Sequence, residues 1–185
     1  PVIFFEHRWL HNTISHVPKK YFKIPFGKAK ILKKGKDITL VSSSIMTLEC
    51  IKSEKILCKH GIDVEIIDLR SLRPLDTKTI IKSVKKTRKL LVVDNGWKTY
   101  GISAEILSSV SETLSGKMKL ITNRIGVTEV PIPSTRSLAD HCYPSYLDIC
   151  KRVGKILHKN IKKTKSNFPL KKFQDIPDKD FTGPF

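Results

Sequence analysis

Leu90-Leu91-Val92-Val93, followed at once by Asp94-Asn95-Gly96-Trp97, is the stretch on which the fold turns. Four apolar residues in a row, bounded by turn formers, suit a strand covered on both faces, since alternate side chains point to opposite sides. Upstream, Pro74 breaks the chain and Asp76 stands as an N-cap before Ile80, Ile81 and Val84 at helical spacing. Farther back, residues 62–69 alternate as a strand, with Ile62, Val64 and Ile66 on one side. A helix over about 44–60 precedes it, marked by Met46, Cys50, Ser53 and Leu57 and stopped by Gly61. Before that comes the compact apolar run Ile38-Thr39-Leu40-Val41. Downstream the pattern predicts a helix over about 102–114, a strand around 120–122 and a last helix over about 146–161. Strands alternating with helices predict an α/β fold in three layers: a mostly parallel sheet with helices on both faces.

The two ends read differently from this unit. Residues 1–5 (Pro-Val-Ile-Phe-Phe) read as one more strand, then the chain runs to the Pro25-Phe26-Gly27 turn without a second helix. The expected organisation is therefore the last strand of a missing N-terminal domain plus a linker over 1–34, and the α/β domain over 35–161. Residues 162–185 form a basic tail, expected to be flexible: rich in Lys, Pro and Asp, with isolated Phe168, Phe173 and Phe181, it can bury little apolar area.

Composition narrows the function classes. The chain has 185 residues, 39% hydrophobic and 28% charged. No apolar run approaches the roughly 18 residues of a membrane span, and the first ten residues resemble neither a secretory signal nor a transit peptide. Cys50, Cys58, Cys142 and Cys150 form no C-x-x-C pair and read as reduced thiols of a cytosolic protein. The net charge of +18 would suit a polyanion partner. However, the basic residues are 28 Lys against 7 Arg, with 22 Ile and only three Ala. That is a drift spread along the whole chain, whereas nucleic-acid binders concentrate Arg and aromatics in one patch. Nucleic acid is therefore not the expected partner.

Candidate chemistry falls away on inspection. His7 and His11 have zinc-protease spacing, but Arg8 stands where the general-base Glu must be. The segment from Asn95 to Gly101 could offer helix N–H groups to an anion, yet it is neither G-x-G-x-x-G nor a P-loop and reads as a tight strand-to-helix turn. His141-Cys142 are adjacent and lack a third partner. Ser42-Ser43-Ser44 lacks the G-x-S-x-G elbow. Asp68-Leu69-Arg70 predicts a local ion pair at a strand end. The residues describe an α/β domain with no self-contained catalytic, cofactor-binding or metal site.

Several segments resemble one family in order along about 1–157. They are Phe5-Glu6-His7 with Leu10, Ile24-Pro25-Phe26-Gly27-Lys28-Ala29, and Gly35-Lys36-Asp37-Ile38-Thr39-Leu40-Val41. Next come the run from Ile62 through Asp68-Leu69-Arg70-Ser71-Leu72-Arg73-Pro74 to Asp76, and Leu91-Val92-Val93 with Gly96-Trp97, Gly101 and Ala104-Glu105-Ile106. Pro131-Ile132-Pro133 and Tyr143-Pro144 to Asp148-Ile149 complete the series. The resemblance is to the beta subunit of the decarboxylating component of thiamine diphosphate-dependent 2-oxo acid dehydrogenases, the pyruvate dehydrogenase type, over its transketolase C-terminal-like domain, to which the α/β domain over 35–161 would correspond. Tyr100 and Ser103 depart from it, standing where small glycines are usual, and the last helix is unusually lysine-rich.

The resemblance implies a part that forms interfaces and is catalytic only in assembly. Decarboxylation of a 2-oxo acid would then rest on thiamine diphosphate with Mg held elsewhere in the assembled enzyme, none being bound by this chain alone. It implies as partners the alpha subunit, a second beta subunit and, in addition, the acyltransferase core. It implies a cytoplasmic or organelle-matrix location. The residues it places at a subunit interface are Glu6, His7, Gly96, Trp97, Gly101 and Glu105. The alternatives are part of a transketolase-type enzyme, or a stand-alone, non-catalytic binding module with a basic surface.

Overall fold

The computed structural model describes residues 1–161 apart from residues 12, 13, 15 and 140. Five strands make one sheet: β1 (Lys30–Lys33), β2 (Ile38–Ser42), β3 (Val64–Asp68), β4 (Lys89–Trp97) and β5 (Ile121–Val127). Their spatial order is β1-β3-β2-β4-β5. β3, β2, β4 and β5 pair in parallel, and β1 closes the β3 edge antiparallel. Parallel neighbours need crossovers, which α1 (Ile45–Lys59), α2 (Thr77–Thr87) and α3 (Ile102–Leu114) supply. The single-turn α4 (Arg136–Ala139) and α5 (Tyr146–Leu157) follow.

Strand alternation divides the core into two. Ile38, Leu40, Val64, Ile66, Leu91 and Val93 face α1 and α5. Val41, Ile67, Leu90 and Val92 face α2 and α3. The apolar run Leu90-Leu91-Val92-Val93 therefore lines both cores and is buried throughout, as a doubly covered central strand must be. Each such side chain contributes about 1.5–3 kcal/mol of apolar burial. The three-layer α/β expectation is met.

On the first face α1 and α5 run parallel. Glu49 accepts from the Tyr146 N–H at 2.9 Å, Cys150 Sγ lies 3.7 Å from the Ser53 carbonyl, and the Lys159 ammonium donates to the Gly61 carbonyl at 3.3 Å. Burial pushes the Cys50 and Cys150 thiols up to about 12, so both are inert packing groups. α5 starts on a capping box in which Ser145 and Asp148 exchange hydrogen bonds. It stops at Leu157, short of the expected 161, because His158 takes the left-handed conformation at φ 52° and the chain turns back over Gly154.

On the second face α2 is fixed by polar groups. Asp76 caps it as predicted, accepting from Thr79 N–H at 3.2 Å and also from Ala29 N–H at 3.0 Å. Under its middle the buried Glu65 accepts from Ser83, Lys86 and the Gly35 N–H. Thr39 joins Ser83 and Thr87 through their hydroxyls at 2.7 and 2.8 Å.

Three points differ from the sequence reading or lie beyond it. Within this chain residues 1–5 form no strand: the first element is a single 3-10 turn, Arg8–Leu10, and Val2, Ile3, Phe4 and Phe5 are exposed. A strand needs a neighbour for its backbone groups, and the one expected here would find it in an N-terminal domain, none of these five strands bordering it. β1 was not anticipated; its four residues Lys-Ile-Leu-Lys carry no clear period. The last parallel strand runs over Ile121–Val127, starting where a shorter strand was expected and extending well past it. The predicted tail, 162–185, lies outside the described residues.

Candidate functional site

The strand order reverses between β2 and β4, and in open α/β sheets the crevice at the carboxyl ends of such strands is the usual place to look for a site. The chain leaves β2 through Ser43 and Ser44 into α1, and leaves β4 through Lys98 to Gly101 into α3. On the β2 side the hydroxyls are occupied. Ser42 Oγ lies 3.1 Å from Thr47 Oγ1, which donates to Asp68 at 3.2 Å. Burial raises the Asp68 carboxyl above its ordinary range, against the pull of Thr47 and the Arg70 charge. The ion pair expected between Asp68 and Arg70 is replaced: the guanidinium donates to the Lys28 carbonyl at 3.0 Å.

The β4 side is a built turn. Asp94 is buried, and its Oδ1 accepts from the Gly96 N–H at 3.0 Å. Gly101, the N-cap of α3, lies so close to the turn that a Cβ there would stand 2.0 Å from the Trp97 carbonyl oxygen. From β5, Gly126 presses against the same turn, where a Cβ would meet the Gly96 oxygen at 3.0 Å. Tyr100 is held at φ 55°. The strand-to-helix turn expected over Asn95 to Gly101 is present but shorter, Lys98 to Gly101, because β4 runs on through Trp97, and it is Gly101 that serves close backbone approach.

What this rigid turn presents is aromatic. Trp97 is 60% exposed and the Tyr100 side chain stands wholly in solvent. The next segment along β5 begins beside it, since Trp97 pairs with Val127 and Lys98 donates to the Val127 carbonyl at 3.3 Å. That segment exposes Val130 and Ile132. No Lys or Arg occurs between Lys98 and Lys117, and no Lys between Lys119 and Lys151, in a chain with 28 lysines. Interface cores are depleted of Lys and enriched in Trp and Tyr. The lysine gap is a signal the sequence itself carries.

Gly96, Trp97, Gly101 and Glu105 thus belong to one connection, with Glu105 exposed in the first turn of α3 and accepting from Ser109 Oγ at 3.4 Å. Glu6 and His7 lie elsewhere in the sequence, at the N-terminal 3-10 turn. Glu6 pairs with His11 at 3.2 Å. Burial, then His11, lowers the His7 pKa. Cys142 is buried and reaches the Leu138 carbonyl at 3.7 Å. Among the described residues no three His, Cys, Asp or Glu side chains gather as a metal site, and no helix is long and apolar enough to cross a membrane.

Comparison with known proteins agrees with this geometry. Residues 27–149 match the family described as transketolase, C-terminal domain. The chain is 38% identical over 162 residues to the mitochondrial pyruvate dehydrogenase E1 component subunit beta of Drosophila melanogaster, covering 85% of this chain and 44% of the fly protein. It is 37% identical to the corresponding subunit of Rickettsia felis, covering 87% and 49%. It is also 34% identical to the acetoin:2,6-dichlorophenolindophenol oxidoreductase subunit beta of Cupriavidus necator, covering 85% and 46%. Among solved structures, one titled as a split gene transketolase, inactive beta4 tetramer, superposes with a TM-score of 0.64 at 28% identity, covering 78% of this chain and 48% of that one. The chain spans about half the length of the curated relatives it matches. With two thirds of its residues inside the matched region and the same layered sheet, the chain belongs to the transketolase C-terminal domain family.

Proposed function

We propose that this chain is the subunit-interface and assembly part of a pyruvate dehydrogenase-type beta subunit. In that role it supports thiamine diphosphate-dependent oxidative decarboxylation of a 2-oxo acid without carrying the reaction itself. The observation that supports it best is the lysine-poor, aromatic face formed by Trp97 and Tyr100 together with α3 and the segment after β5, both of which lack lysine. Buried at an interface, an anchor such as Trp97 contributes about 2 kcal/mol or more. The partners proposed for this face are the alpha subunit and a second beta subunit; contact with an acyltransferase core belongs to the same reading. The proposed setting is the cytoplasm or an organelle matrix.

The residues present do not fit the cofactor. At the α3 N-terminus, where a diphosphate would seek N–H groups, the buried Asp94 carboxyl lies beside Gly101 with its Oδ2 unpartnered among the described residues, so a phosphate there would meet another acidic oxygen. Asp68 and the occupied hydroxyls of Ser42 and Thr47 fill the β2 side. Thiamine diphosphate and its Mg2+ would supply the carbanion chemistry from another domain of the assembly. This chain's share is to fix, through Asp94 and Gly101, the backbone that presents Trp97 and Tyr100, which lowers the ordering that binding requires.

The test is to reconstitute the full chain with an alpha subunit and a cofactor-bearing N-terminal beta domain. Assembly with turnover of a 2-oxo acid and lipoamide is the expected result. Turnover of sugar phosphates alone would assign the chain to a transketolase-type enzyme, and a chain that stays separate at micromolar concentration would sink the reading.

A further inference from the structure

The opposite layer carries a second surface, which does not depend on the interface just described. α1 and α5 run parallel, so both helices end at the same side of the molecule. Lys59 and His60 close one, and Lys155, His158 and Lys159 close the other, with Lys151 one turn earlier. An open cleft of about 460 Å³ lies among Lys151, Gly154, Lys155, His158, Lys159 and Ile161. The acidic side chains of the two helices are all engaged. Glu49 holds Lys52 and the Tyr146 N–H, Glu54 pairs with Lys33, and Asp148 is spent in its capping box. The face therefore shows solvent positive charge without compensation, beyond what complementing two helix C-termini requires.

We propose that this cleft docks an acidic protein segment, one whose consecutive carboxylates meet Lys151, Lys155 and Lys159. Lys151 and Lys155 lie one turn apart on α5, and Lys159, beyond the left-handed His158, lines the same cleft where the chain turns back over Gly154. Polynucleotide fits less well. No exposed aromatic stands on α1 or α5 to stack a base. The sole arginine of the two helices, Arg152, is held by Asn123 at 3.0 Å and is not aimed at a phosphate. Because the cleft lies on the α1–α5 layer, an acidic partner could bind while the α3 face is engaged.

The experiment measures binding of a labelled oligoglutamate and of an oligouridylate to the full chain, across a salt series. It compares two charge-matched triple variants: Lys151→Gln, Lys155→Gln, Lys159→Gln on α5, and Lys78→Gln, Lys82→Gln, Lys85→Gln on α2. Gln is nearly as good a helix former as Lys, so both variants should fold, and circular dichroism checks it. The expected result is an oligoglutamate affinity about tenfold weaker for the α5 variant and little changed for the α2 variant. Equal losses in both would show attraction to net charge only and overturn the site. Tighter binding of oligouridylate, lost with the same α5 lysines, would overturn the acidic partner in favour of nucleic acid.

Discussion

Helices α2 and α3 pack side by side on the same face of the sheet, yet they treat solvent differently. α2 exposes Lys78, Lys82 and Lys85, whereas α3 exposes Glu105, Ser108 and Glu112 and has no basic residue. Their inner sides differ as well. α2 rests on Asp76 and on the buried Glu65 network, while α3 is seated by Ile106, Val110 and Leu114. A drift toward lysine acts wherever a side chain merely meets water. A helix that escapes it, next to a turn exposing Trp and Tyr, is under another constraint, and an interface supplies one.

The comparison breaks most completely if the turn ahead of α3 is spoiled. Gly101→Val places a branched side chain where even a Cβ meets the Trp97 carbonyl oxygen at 2.0 Å, so backbone must move. We expect a loss of about 3 kcal/mol or more, the range of overpacking and strain. Urea unfolding checks it. A loss under about 1 kcal/mol would mean that the turn is soft and that its aromatics are not held.

Next in size is Trp97→Ala. Because Trp97 is exposed, the isolated chain should change stability by no more than about 0.5 kcal/mol. Its association with the other subunits should weaken by about 2 kcal/mol, some thirtyfold. The same substitution size at Lys82 on α2 should leave association unchanged. Sedimentation of the reconstituted subunits separates the two, and equal effects at Trp97 and Lys82 would erase the distinction between the helices.

The layered sheet was legible because its central strands are short apolar runs, and Leu90 to Val93 could satisfy two buried faces only in the middle of a sheet. The Asp76 cap was legible for a local reason, its N–H partners being three residues away. The turn was found through Gly96 and Gly101, but Asp94 was not, since nothing in its neighbours says that its carboxylate folds inward over Gly96. β1 was missed because edge strands need little patterning, and Lys30 and Lys33 read as solvent-facing linker. The strand expected over 1–5 shows the opposite limit: a sequence can be fit for a strand and form none without a neighbour. The lysine gap was in plain view, but it gains meaning only once α3 and the segment after β5 are seen to flank Trp97.

A pH titration sharpens the contrast between the inner sides. Burial pushes the Glu65 carboxyl up, but the Lys86 ammonium, Ser83 hydroxyl and Gly35 N–H more than offset it and hold it below the ordinary carboxylate range. Asp76 is lowered in the same way: burial raises it, and Thr79 and Ala29 pull it down further. A carboxyl lowered on folding contributes stability that is fully present above its unfolded pKa, about 4. That contribution is lost as pH falls through the folded value. Stability should therefore hold from neutral pH to about 5 and decline below it. Glu65→Gln should cost about 1–2 kcal/mol at neutral pH and flatten the acid slope. An unchanged slope would place the acid sensitivity elsewhere.

The smallest expected effect lies on the other side of the same comparison. Ser103 is buried in the first turn of α3, and its hydroxyl has no hydrogen-bond partner among the described residues. A buried hydroxyl without a partner carries its desolvation penalty for no return, so replacing it by a methyl group is favourable or neutral. Ala is also the better helix former by a few tenths of a kcal/mol. Ser103→Ala should therefore change stability by about 0.5 kcal/mol at most, toward the stable side. Ser83→Ala, the corresponding change under α2, removes a partner of both Glu65 and Thr39 and should destabilise by about 1–2 kcal/mol. Measured as a pair by urea unfolding, the two serines ask whether α3 is seated by apolar contact alone. A loss at Ser103 as large as that at Ser83 would mean that its hydroxyl is bonded and that α3, like α2, is held by a buried polar network.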